Sequence, residues 1–316
     1  MKKRDILSVI VSTIILAVVS LWIGQQAYSW LPPQATVQSL LVDDLFSFLV
    51  TWGAFIFLGV TAAIVYSMIF NRAGKYDISD GPAIEGNITL EVVWTAIPFA
   101  LVIWIGTYSY QIYDQMSLLG STQNHHISMK INPEVAPPIE DSEKIEVISK
   151  QWAWIFKYPQ QNISSTELHL PVNKPAYLTL QSEDVIHGFY IPAFRVKQDV
   201  IPGEIINFQF TPILEGKYRL RDSQYSGTYF AAMQADVVVE SPEKYQEWLK
   251  VAQNRQPSSA YNQAVAEYNS KSDKAINTSW ATVKPSAPPV VNFHSEMNLE
   301  GVEGEEREEG VEREKY

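Results

Sequence analysis

Cysteine is absent from all 316 residues. Disulfides are therefore excluded, and they carry no information about compartment. Thiolate metal centres are excluded as well. A blue-copper site needs one Cys beside two His, and a thiolate-bridged dinuclear copper site needs two bridging Cys. A lipid-bearing Cys is also missing, which rules out lipoprotein anchoring. Basic residues are not in excess: 24 Lys and Arg against 35 Asp and Glu leave a formal net charge of −11. That balance argues against a nucleic-acid partner. From Glu296 onward nine Glu face three Lys or Arg, a net of −6, so about half of the acidity belongs to the C-terminal tail. It does not indicate a docking face for a cationic partner. The chain contains no internal repeat.

Charge is also missing from three long runs before residue 115. Lys2, Lys3 and Arg4 precede the uncharged run Ile6–Gly24. A basic start before an apolar run reads as a signal peptide or a first transmembrane helix, and the run's length with the poor cleavage site in QQAYSWLPP favours a retained helix. Leu45–Asn71 and Val92–Tyr113 are uncharged and long enough to span a bilayer with some tilt. Tyr108, Tyr110 and Tyr113 crowd the end of the third run, which suits a headgroup interface. The loop Gln25–Asp44 has no Lys or Arg, whereas the next loop has Arg72 and Lys75. The positive-inside rule then places the N-terminus and the residue 72–90 loop in the cytoplasm, and everything after about residue 115 outside it.

Residues 144–240 change character. IEVISKQWAWIFKYP, TELHLPV, AYLTLQS, EIINFQFTP, KYRLRD and ADVVVE are short and β-branched or aromatic, with Pro, Gly, Asn and Asp between them. This predicts an all-β sandwich or barrel. Ser241 as N-cap, Pro242 at the first helical position and Glu243 in the first turn predict a helix. Beyond about Arg255 apolar density falls and a disordered acidic tail is expected. The resulting division is 1–42 for a signal or anchor helix and loop, 43–117 for a transmembrane hairpin, 118–255 for the β domain and 256–316 for the tail.

The most informative stretch is Tyr218–Val239, YRLRDSQYSGTYFAAMQADVVV. Asp222, Ser226, Phe230 and Met233 have the spacing of a metal loop, with Gly227 after the second. This resembles the binuclear copper loop of cytochrome c oxidase subunit 2, C-x-x-x-C-G-x-x-H-x-x-M, with Asp222 and Ser226 at the cysteine positions and Phe230 at the histidine position. Only Gly227 and Met233 match. Upstream, Asp184-Val-Ile-His187-Gly-Phe-Tyr-Ile-Pro192 and Lys197-Gln-Asp199-Val-Ile-Pro202-Gly203 resemble the family's D-V-x-H-S-F-x-V-P and K-x-D-x-x-P-G. His187 falls at the first copper histidine; a lone His among aromatics is otherwise a satisfied core or rim residue. At the loop position where the family's Glu gives a carbonyl ligand and touches a magnesium, this chain has Gln224. The donors left, Asp222, His187 and Met233, form an incoherent set for one metal, and Met more often fills a core. No metal is expected in this chain.

Two more motifs carry the resemblance. Glu91-Val-Val-Trp94-Thr95-Ala-Ile-Pro98 is similar to E-x-x-W-T-x-x-P, where the Glu lies at the cytoplasmic mouth of a proton path. The plainer reading of Glu91 is an anion well placed at a helix N-terminus. Gln151-Trp152-Ala-Trp154 is similar to Q-W-x-W, which implies an electron-entrance position at Trp152, although packing is the better use of this residue without a metal. The resemblance covers roughly residues 40–250. It implies a transmembrane helical anchor, made of a two-helix hairpin plus an N-terminal helix, followed by a cupredoxin-like barrel. It implies subunit 2 of a proton-translocating haem-copper oxidase in a bacterial plasma membrane or a thylakoid. The haems and a copper would sit in the partner catalytic subunit 1, with subunit 3, membrane lipid and the membrane quinol pool as further partners. The missing copper ligands point to a quinol-oxidase-like member, as in cyanobacterial alternative respiratory terminal oxidases. The alternatives are a cytochrome c oxidase with direct donor access and a non-catalytic assembly or interaction protein.

Overall fold

The computed structural model describes residues 3–72, 74, 76, 86–116, 142–273 and 283–294. The chain divides into two compact units, Met1–Ser117 and Leu118–Tyr316.

The first unit has three helices long and apolar enough to cross a membrane. These are α1 (Lys3–Gln26), α2 (Val37–Phe70) and α3 (Ile88–Met116). Helix α2 begins eight residues before the uncharged run because Thr36 and Ser39 form a reciprocal capping box, each side chain bonding the other's amide. The start of α2 therefore carries Asp43 and Asp44 into the helix, and both have partners. Gln34 Nε2 donates to Asp43 at 2.9 Å and Tyr28 Oη donates to Asp44 at 2.7 Å. Helix α1 approaches α2 closely at Gly24: a Cβ there would collide with the Thr51 hydroxyl. Ser47 Oγ donates to the Gly24 carbonyl at 2.9 Å in the same notch. Small residues that let backbones meet are a recurrent way of joining membrane helices. Helix α3 meets α2 through rings, with Trp104 5.2 Å from Phe48 and 5.4 Å from Trp52, and Tyr108 4.8 Å from Phe48.

The second unit is a β-sandwich. Its strands are β1 (Glu143–Lys150), β2 (Ala153–Tyr158), β3 (Ile163–Ser165), β4 (Leu168–Pro171) and β5 (Ala176–Ser182), then β6 (His187–Ile191), β7 (Val196–Val200), β8 (Ile206–Phe210), β9 (Gly216–Asp222) and β10 (Gln234–Glu240). One sheet runs β3-β2-β1-β5-β8 and the other β4-β10-β9-β6-β7. The pairs β1/β5 and β4/β10 are parallel and the remaining pairs antiparallel. Alternation sets the inward face. Ile145 and Val147 on β1, Leu178 and Leu180 on β5, Phe208 and Phe210 on β8, and Val237 and Val239 on β10 are all buried.

Helix α4 (Pro242–Asn254) starts where expected, with Ser241 accepting from the Lys244 amide. It buries Tyr245, Trp248, Leu249 and Ala252, one stripe at helical spacing. Trp248 lies flat on His169, with centroids 4.1 Å apart and planes 8° from parallel. The His169 ring nitrogens each meet a carboxylate at 3.1 Å, Glu240 at Nδ1 and Glu167 at Nε2.

The expectation of a disordered tail from residue 256 needs correction over the described part. β11 (Ser258–Ser259) pairs with β12 (Val290–Val291), and α5 spans Gln263–Asp273. Ala260, Ala264 and Val291 are buried. Low apolar density misled the reading because this segment is held largely by hydrogen bonds. Asn292 Oδ1 accepts from the Ser164 amide at 3.0 Å, and Phe293 N donates to the Ser164 carbonyl at 3.0 Å. Residues 274–282 and the Glu-rich end lie outside the described residues, as do Lys75 and residues 117–141.

Candidate functional site

Strands β6 and β9 pair antiparallel, with Phe189 opposite Asp222. That register brings the first residue of β6, His187, beside the last residue of β9, Asp222, although they are 35 positions apart. His187 Nδ1 lies 2.8 Å from Asp222 Oδ2 and Nε2 lies 2.9 Å from Asp184 Oδ1. His187 is fully buried and the Asp222 side chain is equally so. A neutral imidazole would turn a lone pair toward one of two ionised acceptors, so the arrangement favours an imidazolium between the two side chains. Burial works to lower the His187 pKa, but the bonds to Asp184 and Asp222 outweigh it and hold the value above the ordinary range. At Asp184 burial acts upward, yet the bonds from His187 and from the Gln151 and Val185 amides leave its carboxyl below the usual value.

Asp222 uses both oxygens fully. Oδ2 also accepts from Ser226 Oγ at 2.7 Å, and Oδ1 accepts from the Gly188 amide at 2.7 Å and the Gln224 amide at 3.0 Å. Gly188 leaves room for this; a Cβ there would lie 2.9 Å from the Gln224 nitrogen. Beyond Ser226 the loop is tied to Trp152. The Ser226 carbonyl accepts from Gln151 Nε2 at 2.7 Å and Trp152 Nε1 at 3.2 Å. Gly227 has φ +117, and a Cβ would sit 2.8 Å from the Trp152 ring. The Met233 carbonyl accepts from the Asp222 amide at 3.1 Å and from Trp154 Nε1 at 3.4 Å, and Met233 itself is buried.

Dinuclear copper chemistry does not fit this donor set. No thiolate is available to bridge two ions. Both nitrogens of His187 and both oxygens of Asp222 are already committed to each other and to their neighbours. The loop is closed by an ion pair and amide bonds.

The structure brings His187, Asp222, Ser226 and Gln224 together and ties Met233 to them through its carbonyl, which accepts from the Asp222 amide. It does not bring in Phe230. That residue, at the loop's histidine position, is only half-buried and meets the exposed Tyr225 ring at 5.3 Å. Sequence reasoning overlooked Asp184 and Gln151 as members of the cluster. Asp184 stands three residues before His187, and that carboxylate–histidine spacing was the available signal. Trp152, the electron-entrance position by resemblance, is 2% exposed. In the membrane unit Glu91 lies exposed in the first turn of α3. Its amide donates to the Asn87 carbonyl at 2.9 Å, and Asn87 Oδ1 caps the Leu90 amide at 3.2 Å. Seven residues on, Pro98 interrupts the helix's hydrogen bonding.

Both units match one family. Residues 20–112 fit the transmembrane domain of cytochrome c oxidase subunit II, and residues 162–241 fit its periplasmic domain. Cytochrome c oxidase subunit 2 of Synechocystis sp. is 35% identical over 264 residues, covering 75% of this chain and 79% of that protein. The chain belongs to the cytochrome c oxidase subunit II family. The same-named protein of Thermostichus vulcanus is 34% identical, over 75% of this chain and 82% of the relative. Quinol oxidase subunit 2 of Bacillus subtilis is 28% identical, over 71% and 65%. This subunit II is an integral membrane protein with a cupredoxin-like periplasmic domain, and a component of a haem-copper terminal oxidase built with subunit I.

Proposed function

We propose that this subunit II serves a quinol-type oxidase and carries no dinuclear copper centre. One observation supports the reading above others: Asp222, at the first cysteine position, is bound to His187, at the first copper-histidine position, as a buried ion pair. Two of the places that would hold metal in copper-bearing members hold each other. With no copper relay, electrons come from membrane quinol to the haems and copper of subunit I, and subunit III and lipid complete the surroundings. A soluble cytochrome donor with direct access is favoured by a different observation, since the relatives at 35% and 34% identity are named cytochrome c oxidase subunits. Oxygen uptake by the purified complex separates the two. Turnover with a short-chain quinol, and none with reduced cytochrome c, is expected; the reverse overturns the proposal.

We also propose Glu91 as the entrance of a proton path from the cytoplasm. An ionisable group among apolar residues of a membrane helix is a functional candidate by default. Here it sits in the first turn of α3, where water reaches it and where the helix N-terminus favours its charge. An open cleft of about 430 Å³, lined by Ile88, Glu91, Val92, Thr95, Ala96 and Phe99, runs along the same face. The carboxylate collects protons there and hands them to water.

A further inference from the structure

The turn at Gln151–Trp152 is covered from two sides. Inside, Trp152 donates to Ser226 and meets Tyr229 edge-on at 5.1 Å. Outside, the C-terminal segment takes both carbonyls of the turn. Ser286 N donates to the Gln151 carbonyl at 2.7 Å, and Asn262 Nδ2 donates to the Trp152 carbonyl at 3.1 Å. Asn262 is itself fixed, because its Oδ1 caps α5 at the Val265 amide, 3.1 Å away.

The segment has its own anchorage. Ala260 N donates to the Pro289 carbonyl at 2.8 Å beside the β11/β12 pairing. Past β12, Phe293 bridges Ser165, and the Thr166 amide donates to the Phe293 carbonyl at 3.1 Å. The far end is therefore sewn to the edge strand β3. Asn292 Nδ2 closes the circuit on the Arg255 carbonyl at 3.1 Å, where α4 ends. The strap leaves at α4, passes over Trp152 and returns to the sheet edge. Trp152 and Trp154 are 2% exposed beneath it, while Tyr261 on the strap is 52% exposed.

We propose that the described C-terminal segment, residues 256–273 and 283–294, is a permanent cover over the Gln151–Trp152 face, so that this face gives no docking surface to a soluble electron-donor protein. The proposal rests on the quinol reading for its purpose. Its geometry is independent of that reading. A donor protein would have to displace two hydrogen bonds to backbone carbonyls and the strand-edge pairing before reaching the indole.

Hydroxyl-radical footprinting of the purified complete oxidase, read by peptide mass spectrometry, tests it. Tyr225, at 77% exposure, serves as the dose reference. Trp152 should be protected in the native complex. Its oxidation should rise several-fold in a chain stopped after Gln256, and also in the double variant Asn262→Ala, Ser286→Pro, which removes both donors to the turn. The double variant carries the test if the shortened chain fails to join the complex. Adding a soluble reduced cytochrome c should leave oxidation of Tyr261 unchanged in the native complex. Reactive Trp152 in the native complex, or continued protection after the strap is released, overturns the cover. Shielding of Tyr261 by cytochrome c overturns the exclusion of a donor. None of these readings depends on turnover, so a failed cover and a failed quinol assignment give different results.

Discussion

Asp222→Ala tests the idea that an ion pair closes the former metal loop. The substitution removes one acceptor group serving four donors: His187 Nδ1, Ser226 Oγ and the Gly188 and Gln224 amides. Breaking a buried ion pair from one side costs about 3–5 kcal/mol. Orphaned amides add to this, and water entering at the half-exposed Gln224 subtracts, so a loss of about 4 kcal/mol is expected. Asp222→Asn should cost less, about 2–3 kcal/mol. One amide oxygen can still serve the backbone amides, but an NH2 group then faces the imidazolium. His187 must release a proton there, so its raised pKa should fall. The sign of the pH dependence follows. A histidine whose folded pKa is raised contributes stability fully below its unfolded value, about 6.5, and loses it as pH climbs through the folded value. Asp184, depressed by the same contacts, contributes above its unfolded value of about 3.9 and loses that as pH falls. Native stability from the cluster should therefore peak between about pH 4 and 6.5. Urea unfolding of the full chain in detergent, followed by tryptophan fluorescence, gives the difference, and amide exchange at Gly188 and Gln224 localises it. A loss under about 1 kcal/mol for Asp222→Ala, or a native-to-Asn gap that does not shrink as pH rises above about 6.5, refutes the ion-pair reading.

Gly227→Ala should cost about 1–3 kcal/mol, because its φ of +117 disfavours a side chain and its Cβ would meet the Trp152 ring at 2.8 Å; thermal melting checks this. Phe230→His should change stability by about 1 kcal/mol or less, since the ring is only half-buried. The same variant should gain no mixed-valence copper absorption in the near infrared when loaded with copper. Glu91→Ala should slow oxygen consumption while leaving assembly and haem content intact, and Glu91→Asp should retain more of the rate. Wild-type turnover in Glu91→Ala across a range of pH would reduce Glu91 to a helix-end charge.

Much of this architecture is written locally. Each uncharged run is long enough to cross a bilayer, and a helix satisfies its own backbone there, so no distant contact has to be known to place α1, α2 and α3. The strands are legible for a similar reason: alternation in β1, β5 and β8 is a property of neighbouring residues. The absence of cysteine settles the thiolate question without any geometry. Glu91 and His187 stand out as candidates only because their motifs retain the family's spacing.

What the sequence left open depends on residues far apart in the chain. Asp222 and His187 read as members of an incoherent donor set; strand register alone makes them one another's counterions. Phe230 is apolar at a ligand position and suggests burial, but the loop's fold leaves it at the rim. Trp152 reads as a packing residue with no partner in view, and a segment more than a hundred positions later covers it through Asn262. That segment escaped notice because hydrogen bonds to backbone carbonyls need no particular composition, whereas burial of apolar side chains leaves a pattern that can be read. Local pattern and composition carry the membrane helices, the sandwich strands, α4 and the lack of a thiolate. Which polar groups meet is fixed in the folded chain, because each such contact is chosen by the positions of two remote backbones.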